Sequence, residues 1–416
     1  VYAPTLNDYF GGDDFMVLGP VRALGPWELI WKAFLARDDI PYWRPLVSPL
    51  YAFEVHVFRL NPWPYHAVVI GLHLINVTLL TLVAWTLTGR RWLALAAGVI
   101  FGIHPAMAIT VSMISSTVEL FSTVWYLATV LCCLRWVRSH DRRWYWAGLT
   151  AFVLGLLSKE SVASAAGVVT LLFFLLALLP AWRTGRDRRG AVRRFLLDIL
   201  PFWLLVAPYT LLTFLTDTDD PTGVTQAMYS PGLHIGQNMW WFLARLAAPL
   251  ETGHGPTVSA IGHIGAAVLV VLAVLGLVRG SNAVRFLICW TAIALTPLAL
   301  WRPELLLGRF TYMATAPFAI LLALGGAWVA AQVGSRLPRR VPQWAPAGAL
   351  LVAAGALLAP LTVEQDRERT REGDMYRPLV AMLRREHPVL PAGSEVLLVD
   401  GVWSGPFHAI FLNSMA

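Results

Sequence analysis

Between about residue 64 and residue 361 the chain is a succession of apolar runs separated by short polar breaks. Hydrocarbon offers no partner for a backbone N–H or C=O, so a chain that enters it repeatedly must do so as helices that satisfy their own backbone. Ten such runs can be drawn, at approximately 64–88, 92–109, 114–136, 145–158, 161–180, 195–214, 262–279, 285–300, 311–331 and 346–361. Several are shorter than the ~20 residues that a span needs. The fourth and fifth read as two helices rather than one, because Lys159-Glu160 between them places a turn at the membrane surface. Composition agrees. Of 416 residues 57% are hydrophobic and 14% charged, against roughly 25% charged in soluble domains. The net charge of +7 sits mostly as arginine in short loops, a sign of membrane topology rather than of nucleic-acid binding. Cys132, Cys133 and Cys289 all fall in apolar stretches and imply neither a disulfide framework nor a Cys/His metal site.

The arginines set the orientation. The short loops at 89–91, 135–144, 181–194, 279–285 and 332–345 hold seventeen Arg and two Asp, whereas those at 104–113, 159–160 and 301–310 hold one Lys and two Arg. The first set is therefore expected in the cytoplasm. The chain then divides into a first extracytoplasmic loop, 1–63, a helical bundle, 64–361, and an extracytoplasmic tail, 362–416. With no initiator Met, and with both ends outside, a preceding eleventh helix is expected. In the first loop Trp27, Ile30, Trp31, Phe34 and Leu35 recur at helical spacing around Glu28 and Lys32, the pattern of a helix lying in the interface. The outer loop 215–261 opens on Asp217, Asp219 and Asp220 and holds a Trp-rich helix around Met239–Phe242. The tail passes from a charged run, Glu364–Asp374, to a helix at 375–386 and an alternating strand, Glu395–Asp400, so it reads as the start of a small α/β element. The fold class expected is an all-α polytopic membrane bundle carrying that tail.

On this topology the unusual polar residues collect at one surface. Asp13 and Asp14 stand in the polar stretch Asn7–Phe15, and Arg44 follows in the same loop. His104-Pro105 ends the second run, and Glu119 lies just inside the third. Lys159 and Glu160 separate the fourth and fifth, while Arg302 and Arg309 precede the ninth. Each has a plain reading: the aspartates as helix caps, Lys159 snorkelling to headgroups, His73 packed and hydrogen-bonded. Taken together, carboxylates and cations on the outer ends of separate helices describe a site. A carboxylate there can act as general base toward a hydroxyl. Arginine and lysine at the same depth can hold a phosphate and stabilise a departing phosphate ester. A donor whose leaving group is a lipid-linked phosphate needs both, so the chemistry expected is glycosyl transfer from a polyprenyl-phosphate sugar. No cofactor is called for and no metal cluster is evident.

Several short motifs resemble a known family. They are Asp13-Asp14, Trp43-Arg44-Pro45-Leu46, Phe58-Arg59-Leu60-Asn61, Tyr65-His66, Leu72–Val77, Phe101–Pro105, Leu157–Glu160 and Gly308–Tyr312. In order and spacing they resemble the GT-C glycosyltransferases, above all the protein O-mannosyltransferases whose membrane helices precede TPR repeats, and their bacterial relatives. The resemblance covers roughly 7–330. It implies that the acidic pair carries the catalytic carboxylate, Asp13 or Asp14. It also places Arg309 or Lys159 near the donor phosphate, with Arg44 as a third cation and His104, Glu119, Glu160 and Tyr312 in support. Two departures stand out. The family's His-Thr-Glu after the His-Pro is Met107-Ala108-Ile109 here, and the tail has no TPR repeats. The expectation is an inverting transferase of a bacterial inner membrane, with its site on the extracytoplasmic face and a protein, glycan or lipid acceptor. The alternative is a lipid-linked-glycan flippase or other transporter, for which charges near the bilayer midplane would be expected instead.

Overall fold

The computed structural model describes residues 1–386, apart from 12, 24–25, 36–42, 186, 217–231, 249–257, 304–307, 337, 339–341 and 343–344. The acidic stretch at 217–220 and the strand expected at 395–400 lie outside the described residues. Among those described, no strand forms, and helices account for every apolar run.

Three short helices precede the bundle: α1 (Asp13–Ala23), α2 (Pro26–Leu35) and α3 (Val47–Phe58). The bundle follows with α4 (Pro62–Thr88), α5 (Arg91–Ile103), a short α6 (Ala108–Ser112), α7 (Thr117–Ser139) and α8 (Arg142–Leu156). The next run is α9 (Ser164–Phe173), continuing through a wide turn into α10 (Leu179–Thr184), and then α11 (Arg188–Thr216). The Trp-rich helix is α12 (His234–Ala247), and α13 (Ala260–Arg279), α14 (Asn282–Ala299), α15 (Tyr312–Gly334) and α16 (Ala345–Glu386) complete the chain. Seven of these segments are long and apolar enough to cross a bilayer, or eight if α5 and α6 make one bent span. Helix α8, with 15 residues, and α11, with Pro201 and Pro208 inside it, occupy the other two runs drawn from the sequence.

Local sequence explains the punctuation. Asn61 accepts the Trp63 N–H and begins α4 ahead of Pro62, and Gly89, at φ 72°, ends it in the left-handed conformation that glycine adopts without strain. His104 precedes a proline and so is driven out of helical conformation, at φ −70° and ψ 129°. Helix α5 stops there, and α6 departs at 52°. The Ile103 carbonyl left open by the break accepts from the Thr362 hydroxyl at 2.7 Å, so α16 seals the end of α5.

The interior is aromatic. Trp241, Trp290, Tyr126, Tyr312, Phe101, Phe152, Phe173 and Phe202 are fully buried, while α13 and α16 turn aliphatic side chains outward, as helices at the rim of a bundle in lipid must. The arginine-rich loops gather at one end, where Arg138 donates to the Leu87 carbonyl and Tyr145 to the Asp198 carbonyl. The opposite end carries a second apolar cluster, in which Phe10, Phe15, Tyr51, Val55, Tyr65, Ile114 and Tyr376 join the first loop to the bundle and to α16.

Helix α3 is mixed on both faces: Phe53, His56 and Val57 are exposed, while Val47, Ser48, Tyr51, Ala52, Glu54 and Val55 are buried. Its inward face joins the second apolar cluster and carries one carboxyl group into it, that of Glu54. Helix α2 shows Trp31 and Phe34 outward and carries a Glu28–Lys32 pair at 3.1 Å, in line with the interfacial helix expected.

The buried side chain of Asn238 ties the outer ends together by donating to the carbonyls of Ala299 at 3.0 Å and Trp301 at 2.7 Å. Replacing Asn238 by Ala leaves both acceptors buried without that donor. A loss of about 1–3 kcal/mol is expected, read as a lower melting temperature of the detergent-solubilised protein.

Candidate functional site

At the end of the bundle opposite the arginine-rich loops, three ion pairs join elements far apart in sequence. Asp13, at the first turn of α1, faces Arg309, with a carboxylate oxygen 2.7 Å from Nη1. Arg44 holds Glu160 through Nε and Nη2 at 3.0–3.3 Å. Lys159 is paired with Glu119 in the interior and stands 5.6 Å from the centre of the Phe310 ring. The residues singled out from the sequence therefore do converge, and they converge as partners.

The two neighbouring aspartates have different surroundings. Asp14 is buried. Its Oδ1 accepts the backbone N–H of Ser115 at 2.7 Å, and its Oδ2 accepts that of Gly11 at 3.1 Å. The carboxylate thus pins the loop to the start of the third membrane run. Asp13 is 28% exposed and looks toward the open side. Successive side chains leave the backbone in different directions, so one aspartate anchors while the other remains presentable.

Arg309 lies in the turn Gly308–Thr311 that opens α15. Its Nε and Nη1 are shielded from solvent and have no aligned hydrogen-bond acceptor, although Nη1 is close enough to Asp13 for an ion pair. These two nitrogens keep unused donor capacity that only a group taking Asp13's place beside them would meet. Its backbone is held by the network one residue beyond Thr311. His73 Nε2 donates to the Gly102 carbonyl, which leaves Nδ1 to accept from the Tyr312 hydroxyl at 2.8 Å, and that hydroxyl accepts from Asn76 at 3.2 Å. Tyr312 supports the site from inside the core. His104 supports it as a cap, its Nδ1 accepting the Ala106 N–H at the α5–α6 break.

Two residues escaped the sequence reading. Arg245, on α12, is buried with its guanidinium 4.9 Å from the centre of the Trp241 ring and against Gly308, where a Cβ would come within 2.6 Å of Nη2. Gly308 is needed for that close approach, which sets a second arginine beside Arg309. A glycine immediately ahead of the arginine was the available signal. The other is Glu54, which is 0% exposed and has no hydrogen-bond partner on either oxygen. Burial pushes its carboxyl up to about 8, so at neutral pH it is mostly protonated. A lone carboxylate in an otherwise apolar stretch was the hint. Among the described residues no three His, Cys, Asp or Glu side chains converge as metal ligands.

Solved structures share this architecture. The oligosaccharyltransferase of Archaeoglobus fulgidus, tethered to an acceptor peptide, aligns over 98% of this chain and 59% of its own, with a TM-score of 0.51 at 12% identity. The same archaeal protein, AglB, in complex with an inhibitory peptide and a dolichol-phosphate, aligns over 93% and 55%, with a TM-score of 0.50 at 13% identity. The chain shares its fold with this archaeal oligosaccharyltransferase. Curated relatives carry the same connection in sequence. Protein O-mannosyl-transferase Tmtc2 of Drosophila melanogaster is 36% identical over 137 residues, 30% of this chain and 14% of the relative. Tmtc1 of the same organism is 29% identical over 285 residues, 58% of this chain and 32% of the relative. The chain spans less than a third of the length of either fly relative. No protein-family model matches it.

The asymmetry of the aspartates gives a direct test. Asp14→Ala strips buried N–H groups of their acceptor, should cost about 1–3 kcal/mol and should free the loop from Ser115, whereas Asp13→Ala removes one side of a partly buried ion pair and leaves the loop's backbone bonds in place. Thermal melting of the two variants, with protease cleavage in residues 1–23 as a second readout, should rank Asp14 well above Asp13. Equal melting temperatures would remove the distinction.

Proposed function

We propose that the chain moves a sugar from a polyprenyl-phosphate donor to a hydroxyl acceptor at the extracytoplasmic face, with inversion at the anomeric carbon. The observation that carries this reading is the Asp13–Arg309 pair: a presentable carboxylate held by a guanidinium with donor capacity to spare. When a donor arrives, its phosphate competes for Arg309 and releases Asp13. The free carboxylate takes the proton of the acceptor hydroxyl, whose oxygen forms the new bond to the anomeric carbon. The bond from that carbon to the phosphate oxygen breaks, and its electron pair leaves with the polyprenyl phosphate, which Arg309 steadies. Lys159 and Arg44, engaged with Glu119 and Glu160, hold the shape of the phosphate end in this reading. The relatives support the reaction class, since the fly proteins are named O-mannosyl-transferases and the AglB structure contains dolichol-phosphate. A transporter is less well supported, because these charges gather at one end of the bundle.

Asp13→Asn keeps the shape and removes the base. It should abolish transfer from a polyprenyl-phosphate sugar while donor binding stays within about twofold. Arg309→Gln should instead weaken donor binding about ten- to a hundredfold, the equivalent of a charge-assisted contact worth roughly 1.5–3 kcal/mol. Full turnover in Asp13→Asn would take the base away from the mechanism.

The face of the membrane has its own test. With Cys132, Cys133 and Cys289 replaced by Ala, a single cysteine at exposed Asp374 should react with an impermeant thiol reagent added outside intact cells, and one at Gly185 should not. The reverse pattern would put the site in the cytoplasm.

A further inference from the structure

The outer half of α16 presents one face to the loop that carries Asp13. Asp366, Thr370, Gly373 and Tyr376 follow at intervals of four, three and three, with Arg377 four after Gly373, so they line one side of a helix. Each meets the segment 5–15. Thr5 donates its hydroxyl to the Asp366 carboxylate at 2.9 Å, and Thr370 donates to Asp8 at 2.9 Å. Arg377 donates to the Asn7 carbonyl at 2.8 Å and lies 5.4 Å from the centre of the Tyr9 ring. Tyr376 packs on Phe15, with ring centres 5.6 Å apart. At the middle stands Gly373. A Cβ there would meet the Tyr9 carbonyl oxygen at 2.7 Å and that residue's carbonyl carbon and nitrogen at 3.3 and 3.4 Å. These are backbone atoms and cannot swing aside, so the loop itself would have to give by about 0.7 Å to restore ordinary contact at 3.4 Å. Phe10 and Asp14 are buried and bonded between Tyr9 and the bundle, which makes this segment stiff.

We propose that this face of α16 is a positioning element for the transfer reaction. Through Thr370–Asp8, Gly373–Tyr9 and Tyr376–Phe15 it sets where Asp13 stands relative to Arg309. The proposal rests on the function proposed above and adds that the helix leading to residues 387–416 holds the base in register. None of these α16 residues touches the reacting atoms, so each acts through the loop.

Two glycines on the same helix provide the test. Gly355 has nothing within 4 Å of the position a Cβ would take. Alanine is a better helix former than glycine, so Gly355→Ala should melt no lower than the unaltered chain and turn over as fast. Gly373→Ala should lower kcat about ten- to a hundredfold, the scale expected when a reacting group is misplaced by up to an ångström, with the donor Kd within about twofold. Should Gly373→Ala fail to fold, Thr370→Val removes the bond to Asp8 without crowding and should lower kcat, and Thr370→Ser, which keeps the hydroxyl, should restore it.

A second readout needs no turnover. In the chain with its three native cysteines replaced by Ala, Asp13→Cys places a thiol beside Arg309, whose charge should hold the thiol pKa below the usual ~8.5. Adding Gly373→Ala should move that pKa back up, and adding Gly355→Ala should not. If kcat and thiol pKa are the same in the Gly373 and Gly355 variants, α16 does not position the base. If the unaltered chain transfers no sugar, the reaction reading falls, and the thiol pKa alone decides whether α16 sets the distance between residues 13 and 309.

Discussion

Charge taken out of water must find opposite charge, and at the outer end of this bundle that requirement organises everything else. Breaking a buried ion pair by removing one partner typically costs about 3–5 kcal/mol, far more than the pair itself contributes. Glu119 with Lys159 meets that condition most strictly, because both lie inside the protein. Lys159 belongs to the turn between α8 and α9, and Glu119 to the first turn of α7, so one interaction fixes three helix ends. Arg44 with Glu160 extends the constraint to the first loop, and Asp13 with Arg309 closes it onto α15. The pairs grade from the core to the open side. The innermost is almost wholly enclosed, and the outermost keeps part of both side chains exposed.

Much of this was legible in the sequence. Each apolar run became a helix, and His104-Pro105 broke one where the residue before a proline should. The polar residues picked out by their unusual depth met at one end of the fold. Their partners could not be read, because pairing is a property of residues distant in sequence: Asp13 and Arg309 are joined by the topology of the whole bundle. The same limit explains Lys159. As a cation at a helix end it looked available to a phosphate, and only its distance to Glu119 shows it engaged. The division between Asp13 and Asp14 was open for a similar reason, since Ser115, which supplies the decisive N–H, lies a hundred residues on. Glu54 was passed over because its burial is set by residues distant in sequence: its neighbours Val47, Tyr51 and Val55 pack in one cluster with Phe10, Phe15 and Ile114.

The change of composition near residue 361 suggested a boundary between membrane and tail. The helix continues past it. Helix α16 runs through 42 residues with Pro360 and Pro378 inside it, about 63 Å at 1.5 Å per residue. Pro360 stands at the change of composition and has no N–H to donate, so one backbone hydrogen bond is missing there while the helix goes on. What changes beyond it is the company: aliphatic residues facing outward give way to Asp366, Thr370, Gly373 and Tyr376 facing the first loop. One continuous helix thereby links the rim of the bundle to the loop that bears the acidic pair.

Helix α5 has 13 residues before His104 ends it, which gives a reach of about 20 Å. The hydrocarbon of an ordinary bilayer is roughly 30 Å thick. Beside α5 the remaining depth is filled by α6, bent away by 52° and capped where the Thr362 hydroxyl donates to the Ile103 carbonyl. The depth that other helices cross in one straight run is here divided between two pieces hinged at His104-Pro105, and the hinge is closed by a helix from the far end of the chain.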